Sequence, residues 1–504
     1  MLFRIFYTLI FIVSLWSAEL SLMDVETIAI NFLNQRENTI ENYTIESIQA
    51  FNVIDSSINM YIAYLNPIGF IILSGEDRTI PILGYSYHSE ININELPRQL
   101  EAILISYQEG IQHVVDNNIM QDDKTIDLLE QYLNNSDFIN RNNREVSPMI
   151  TADWNQGGGW NNFCPGNSVV GCVAVAMGQV MNYWEYPTQG DGYSQYYSID
   201  YGVIGVNFED YTYDFSNMYD DYPTEDSQLL LFHAGVAVHM NYTPWASGAS
   251  VCWEGPSAQN ALDEHFGYND DITCEVKINY TDEQWRSLIK DQLDRGWPMV
   301  YRGYSEDAGH AWNIDGYQND YYHCNWGWGG YANGYFYFDN LNAGGYNFIE
   351  SQAALLNIVP EIFNNPTALF DFEKNDLTVE FYDLSQAVNQ DEIVLWVWDF
   401  GDGNTSFDLY PIHTYEDYDS YNVTLTVMSE YGLYSEPHIE LIDILNLLGD
   451  INADSLIDVL DVVLLVDFIL NNDNINQNFD IYDLNEDLQI DVLDIILLIQ
   501  IIIN

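Results

Sequence analysis

Residues 154–187 read WNQGGGWNNFCPGNSVVGCVAVAMGQVMNYWEYP, a Gly-rich loop running into Gly171-Cys172 and then a compact segment. Residues 173–186 are mostly small or apolar, and Pro187 follows where a helix has to stop. The pattern predicts a buried helix with Cys172 in its first turn. Unpaired N–H groups and the positive dipole end of such a turn favour a thiolate over a thiol. A nucleophilic thiolate needs a proton partner. The candidate is His310, in Gly309-His310-Ala311-Trp312-Asn313-Ile314-Asp315-Gly316, where the histidine opens a strand-like run. Cys172 and His310 are therefore the expected nucleophile and general base/acid.

The segment around this pair, about 148–360, is rich in Trp, Tyr and Gly. Helices are expected at 227–240 and 281–295, the latter closed by Gly296 and Pro298. Strand-like runs follow at 299–301, 311–314, 321–324 and 335–338. Helices first and sheet later is an α+β pattern.

Ahead of it, residues 24–147 form a first module. It has an amphipathic helix at 24–35, short strands at 51–54, 60–65 and 69–74, and a helix at 95–117. It holds no nucleophile–base constellation. Its last residues, Arg141-Asn142-Asn143-Arg144-Glu145-Val146, suit an exposed linker open to proteolysis. A third module opens at Asn364-Asn365-Pro366 and alternates as strands do at 377–381, 393–398 and 421–427, the signature of a small all-β sandwich. Asp399 and Asp402 there are expected to stabilise a turn.

The fourth module, 449–504, is a repeat. Asp450, Asn452, Asp454, Asp458 and Asp461 recur 33 residues later (483 − 450 = 33) as Asp483, Asn485, Asp487, Asp491 and Asp494. Oxygen side chains at positions 1, 3, 5, 9 and 12 of a loop are what a large hard cation such as Ca²⁺ requires. The usual glycine at position 6 is replaced by Ser455 and Leu488, where backbone strain is expected. Each loop runs into an apolar helix, 459–470 and 492–503. The competing reading is an acidic amphipathic tail.

The chain has 504 residues, enough for several domains, and a net charge of -64 from 77 acidic and 13 basic residues. No Lys or Arg occurs from residue 375 onward. This excludes nucleic-acid binding through phosphates, which needs clustered cations, and adsorption to an anionic membrane. It suits a protein dissolved in a salty or calcium-containing medium. Residues 1–18 place Arg4 before an apolar run and end in small residues, as a secretory signal peptide does; the run is short for a membrane span, and none is expected later. The five cysteines are Cys164, Cys172, Cys252, Cys274 and Cys324. An odd number leaves at least one thiol free in a secreted chain, and a nucleophile is one reason. Pairing among the others stays open: Cys252 with Cys274, or Cys164 with another.

Residues 148–350 resemble the streptopain-type cysteine peptidases, papain-like enzymes made as secreted zymogens. The matching blocks are Trp154-Asn155-Gln156-Gly157, Gly171-Cys172-Val173-Ala174, Met181-Asn182-Tyr183 with Tyr186-Pro187, residues 234–242, Gly309-His310-Ala311 and Asn325-Trp326-Gly327-Trp328-Gly329-Gly330. The resemblance implies a papain-like α+β catalytic domain at 148–360. It also implies that Gln156 joins the Cys172 N–H in an oxyanion hole, that Asn325 orients the imidazole, and that Trp326 shields that bond from water. A preference for a bulky apolar residue two positions before the cut is implied as well.

Residues 19–147 resemble that family's inhibitory α+β propeptide through Gly69-Phe70-Ile71-Ile72-Leu73-Ser74-Gly75 and Ile82-Leu83-Gly84-Tyr85-Ser86. Residues 366–444 look like a PKD domain, through Trp398-Asp399-Phe400-Gly401-Asp402-Gly403, His413-Thr414-Tyr415 and Tyr421-Asn422-Val423-Thr424-Leu425. Residues 449–504 look like a dockerin-type calcium-binding repeat, whose relatives bind cohesin modules. The expectation is a secreted cysteine endopeptidase that needs no cofactor for catalysis, acts on protein or peptide substrates, and has a cohesin-like partner for its last module. The alternative is a catalytically silent extracellular binding protein working through the PKD-like and dockerin-like modules. The intact Cys172, His310 and Gln156 weigh against it.

Overall fold

The structure, a computed structural model, describes residues 19–35, 43–134, 145–252, 255–304, 309–339, 350–363, 365–375, 377–387, 391–444, 448–452, 456–471 and 479–503. The expected signal peptide and most of the expected linker lie outside these residues, as does Asp454. The chain divides into two units, Met1–Glu361 and Ile362–Asn504. Among the described residues no helix is long and apolar enough to cross a membrane.

In the first unit, Ser21 and Asp24 form a reciprocal capping box that starts helix α1 (Leu22–Asn34). Short β-branched and aromatic runs then become four strands: β1 (Thr44–Phe51), β2 (Met60–Asn66), β3 (Phe70–Ser74) and β4 (Ile82–Ser86). All residues of β3 and β4 are buried, so both faces of the sheet are covered there and the runs do not alternate. Helix α2 (Arg98–Asp116) follows, then α3 (Asp123–Asn134), a helix not expected from the sequence.

After a short strand β5 (Glu145–Val146) comes helix α4 (Cys172–Trp184), stopped by Glu185 in a left-handed conformation (φ 49°) before Pro187. A hairpin of β6 (Tyr193–Ser198) and β7 (Gly202–Asn207), helices α5 (Glu225–Ala237) and α6 (Ala258–Phe266), strand β8 (Thr273–Val276) and helix α7 (Asp282–Asp294) lead to the main strands. These are β9 (Met299–Tyr304), β10 (Gly309–Gln318), β11 (Tyr321–Asn325), β12 (Gly334–Phe336) and β13 (Glu350–Leu356). Cys252 and Cys274 are disulfide-bonded, tying the loop before α6 to β8, while Cys164, Cys172 and Cys324 are free thiols.

The first module is not separate from the second. One antiparallel sheet runs β1-β2-β3-β4-β12-β11-β10-β9-β13-β8, with β5 paired on β10. The seam is β4 against β12, where Tyr85 faces Tyr335 and Gly84 faces Phe336. A Cβ at Gly84 would lie 2.8 Å from the Phe336 ring, so glycine is what permits the close approach. One apolar core extends from α1 and the first four strands to Trp312, Trp326 and Phe336; a second surrounds α4 and α5 and reaches Val300 and Ala311. Helix α4 packs on β9 and β10 between these layers.

The second unit holds a three-stranded sheet, β14 (Phe370–Asn375), β15 (Thr378–Asp383) and β18 (Ile412–Thr414). A four-stranded sheet carries β16 (Ile393–Asp399), β17 (Thr405–Ser406), β19 (Ser420–Ser429) and β20 (His438–Asp443). Their inner faces bury Val379, Phe381, Trp398, Val423, Leu425 and Val427. Asp399 and Asp402 do turn chemistry: they accept from the Gly401 and Asn404 N–H groups, and Asp402 also binds His413 at 2.7 Å. The repeat supplies α8 (Val459–Asn471), the short α9 (Phe479–Tyr482) and α10 (Val492–Ile503), packed around Leu465, Leu484 and Leu498.

Candidate active site

Cys172 is the first residue of α4, and Gly171 caps it at φ 94°. A Cβ at Gly171 would meet Met240 Sδ at 2.6 Å, so only glycine fits both the angle and the space. Burial pushes the Cys172 thiol up, while backbone N–H groups of Ala311, Val173 and Cys172 itself pull it down. The sulfur thus lies against the backbone of the residue next to His310.

His310 is 7% exposed, and its Nε2 lies 3.1 Å from the Trp326 carbonyl oxygen. A carbonyl can only accept, so Nε2 carries the proton and Nδ1 bears the lone pair. Nδ1 is buried with no hydrogen-bond partner. The ring stacks on Trp328, with centroids 5.0 Å apart, and lies near Trp312 and Trp326. This apolar cage lowers the imidazole to about 4. Burial thus disfavours the charged form of both groups, and at Cys172 it outweighs the helix N-terminus that was expected to favour a thiolate.

Asn325 departs from its expected role. Its Oδ1 accepts from Gln179 Nε2 (3.0 Å) and the Gly327 N–H (3.3 Å), and its Nδ2 donates to the Ala152 carbonyl (3.0 Å). Those bonds commit the amide, and the backbone carbonyl of Trp326 takes its place on the imidazole. Trp326 is fully buried and pinned by Nε1–H to the Ala332 carbonyl and by its N–H to Asn333. Gln179 and Asn313, not singled out in the sequence, complete the network. Asn313 Nδ2 donates to Gln179 Oε1 and to the Ala176 carbonyl, joining β10 to α4. Gln156 is half-buried, and its carbonyl accepts from the N–H of Val170, two residues before Cys172 (2.9 Å).

The first module reaches this site through the loop after β11. Ser89 Oγ donates to the Gly330 carbonyl, the Asn92 N–H to Tyr331 Oη, and the Ala332 N–H to the Glu90 carbonyl. That loop carries Trp326 and Trp328. Further along the seam Lys124 Nζ donates to Asp320 at 2.6 Å, and Tyr107 Oη to the Tyr337 carbonyl at 2.8 Å.

In the repeat, the two copies superpose in their bonding. Asp461 accepts from the N–H groups of Ile451, Asn452 and Asp458; Asp494 accepts from Leu484, Asn485 and Asp491, again 33 residues on. Asp450, Asp461, Asp483 and Asp494 are buried. Among the described residues no three His, Cys, Asp or Glu side chains converge as a ready-made metal cage. The residue types suit a hard cation, and no Lys or Arg of this stretch can neutralise the buried carboxylates.

Residues 154–336 match the Peptidase C10 family, residues 18–111 the Spi protease inhibitor family, and residues 365–440 the PKD domain. Streptopain of Streptococcus pyogenes is 27% identical over 344 residues, covering 60% of this chain and 82% of that protein. The thiol protease/hemagglutinin PrtT of Porphyromonas gingivalis is 26% identical over 357 residues, covering 64% of this chain and 40% of that protein. Among solved structures, a prointerpain A fragment of Prevotella intermedia aligns with a TM-score of 0.50 at 29% identity, covering 62% of this chain and 98% of that one. The chain is therefore a cysteine-type peptidase made as a zymogen, with a stretch similar to the Peptidase C10 family preceded by one similar to the Spi protease inhibitor and followed by one similar to the PKD domain.

Proposed function

We propose that the protein is a secreted endopeptidase in which Cys172 is the nucleophile and His310 the general base/acid. His310 takes the thiol proton as sulfur attacks the scissile carbonyl carbon, then gives it to the departing amine. The acyl group remains as a thioester on Cys172. Water attacks that thioester, His310 accepts its proton, and the carboxylic acid and free thiol are released. The Cys172 N–H and the Gln156 amide stabilise the tetrahedral oxyanion, a contribution of roughly 10²–10³ in rate. The Trp326 carbonyl positions the imidazole, and Asn325 holds the wall behind it.

One observation carries this reading: Cys172 opens a helix with its sulfur against the backbone of Ala311, the residue that follows a buried histidine whose Nδ1 lacks a partner. The test is intact mass after incubating the signal-less precursor with reductant, beside Cys172→Ser. Loss of about the first 120–150 residues by the wild type alone is expected for self-processing at the expected linker. If both stay full length and neither reacts with an epoxide thiol-protease inhibitor, the nucleophile assignment is wrong. If the precursor stays intact yet reacts, another protease removes the prodomain.

The C-terminal repeat is proposed to bind Ca²⁺ through Asp450, Asn452, Asp454, Asp458 and Asp461 and through Asp483, Asn485, Asp487, Asp491 and Asp494, as a dockerin-type module with a cohesin-like partner. The support is the paired bonding of the two loops and the matched exposed side chains Val459 and Leu460 on α8, Val492 and Leu493 on α10. Calorimetric titration with Ca²⁺ tests the metal reading; absence of binding heat removes it.

A further inference from the structure

The loop at 243–250 is stapled to the residues that deliver Cys172. The Val169 N–H donates to the Thr243 carbonyl at 3.2 Å, and Ser247 Oγ donates to the Val169 carbonyl at 2.6 Å. The Ser247 carbonyl sits 3.1 Å from where a Gly171 Cβ would be. The loop is also braced internally: the Thr243 N–H donates to Ser247 Oγ, and the Ala246 N–H to Thr243 Oγ1, each at 2.9 Å. Trp245 lies at the tip of this turn, after Pro244, and is 90% exposed. Other tryptophans of the peptidase module, such as Trp154, Trp285, Trp312 and Trp326, are fully buried. An indole held in water on a braced loop that is bonded to the segment delivering a nucleophile is the kind of side chain that anchors a bound peptide, since its ring is large and has few rotatable bonds to order on binding.

We propose that Trp245 is a specificity-determining residue, an aromatic platform for an apolar side chain of the substrate several residues from the scissile bond. This rests on Cys172 being the nucleophile. Cys172 is the third residue after Val169 and Trp245 the second after Thr243, so the backbone path from Cys172 to Trp245 through the Val169–Thr243 bond is at most roughly 20 Å. An extended peptide rises about 3.3 Å per residue, so the contact lies no more than about six positions from the cut, and we place it beyond the two that a dipeptidyl substrate fills. Short substrates end before the indole. Protein segments and long peptides reach it.

The experiment compares matured wild type, Trp245→Ala and Trp245→Phe, with Cys172→Ala matured in trans by the wild type and repurified, on two substrate kinds. One is a dipeptidyl coumarin amide; the other is a set of internally quenched twelve-residue peptides with Phe or Ala at each position flanking the cut. Trp245→Ala is expected to keep kcat/KM on the short substrate within about twofold. On the long peptides it should lose about tenfold, mostly through KM, and lose the Phe preference at one position three to six residues from the cut. Trp245→Phe should restore most of both. Equal kcat/KM of wild type and Trp245→Ala on every long peptide overturns the proposal, as does an equal loss on short and long substrates. Activity remaining in Cys172→Ala instead overturns the nucleophile assignment beneath it.

Discussion

Asn313 donates its side-chain N–H to Gln179 Oε1 at 3.0 Å, and the same amide reaches the Ala176 carbonyl at 3.1 Å. Asn313 lies on the strand that begins with Gly309-His310, and Gln179 lies two turns into the helix that begins at Cys172. The bond therefore fixes the separation of nucleophile and imidazole from behind, through two rigid elements. Gln179 passes the connection on to Asn325 and the Ala152 carbonyl.

Asn313→Ala should expose this. It leaves Gln179 Oε1 without its donor in a dry core, which costs about 1–3 kcal/mol in urea unfolding of the precursor. In the matured enzyme kcat should fall more than KM rises, because the two reacting groups lose alignment while the substrate groove is untouched. A stability loss without any change in kcat would limit Asn313 to packing.

Acid should weaken the precursor. Burial holds His310 and His233 near 4, against about 6.5 in the unfolded chain. Between these values the unfolded chain binds more protons, so the stability these neutral imidazoles contribute is complete above about pH 6.5 and lost as pH falls toward 4. The two terms are up to about 3 kcal/mol each. Ring-proton NMR of the Cys172→Ala precursor should show both histidines titrating well below pH 6.5. A His310 midpoint at or above 6.5 would contradict the burial of its imidazole as the controlling effect.

The prodomain seam supplies a third test. Burial alone would raise the Asp320 carboxyl, but Lys124, helped by Lys290 and Arg286, holds it below the usual carboxylate range. Lys124 comes from the prodomain, and the pair is partly solvated, so its worth is about 0.5–1 kcal/mol and falls with salt. Lys124→Ala should speed prodomain release at low ionic strength and make little difference at high salt. The prodomain also grips the loop bearing Trp326 and Trp328. Alkylation of Cys172 by iodoacetamide at pH 7 should therefore be at least tenfold faster after maturation, when the imidazole cage is free to open. Equal rates before and after would show that the cage is independent of the prodomain.

How much of this was legible depended on the range of the interaction. Gly171 and Pro187 bracket a helix by local backbone rules, and helix α4 does begin at Cys172 and end before the proline. Thr281 likewise caps α7, and Gly296 follows it at φ 80°. A glutamine inside a helix and an asparagine inside a strand carry no local mark of burial, so Gln179 and Asn313 became visible only once α4 lay on β10. The acceptor for His310 is a backbone carbonyl, which has no side-chain signature, whereas the family resemblance pointed to the side chain of Asn325. Strand β4 was visible as an apolar run, but its pairing with β12 joins residues some 250 positions apart (335 − 85 = 250) and no periodicity encodes it.

The repeat holds strain that can be removed. Leu488 occupies the loop position where glycine is usual and sits at φ 67°, a left-handed conformation that costs an L-residue with a Cβ roughly 1–2 kcal/mol. Its side chain is 80% exposed, so little packing offsets that cost. The Leu488 N–H donates to Asp483 Oδ2 at 2.8 Å, and the strained turn is what aims it there. Leu488→Gly relieves the strain and keeps the donor, while adding freedom to the unfolded chain; the net gain should be about 0.5–1 kcal/mol. If Asp483 and its neighbours hold Ca²⁺, the relaxed loop should bind it about two- to fivefold more tightly, because less of the binding energy is spent holding the turn. Calorimetric titration of wild type and Leu488→Gly reads both the number of sites and this change. Asp494→Ala should abolish one site and leave the other, whereas two sites surviving Asp494→Ala would separate the cation from this loop.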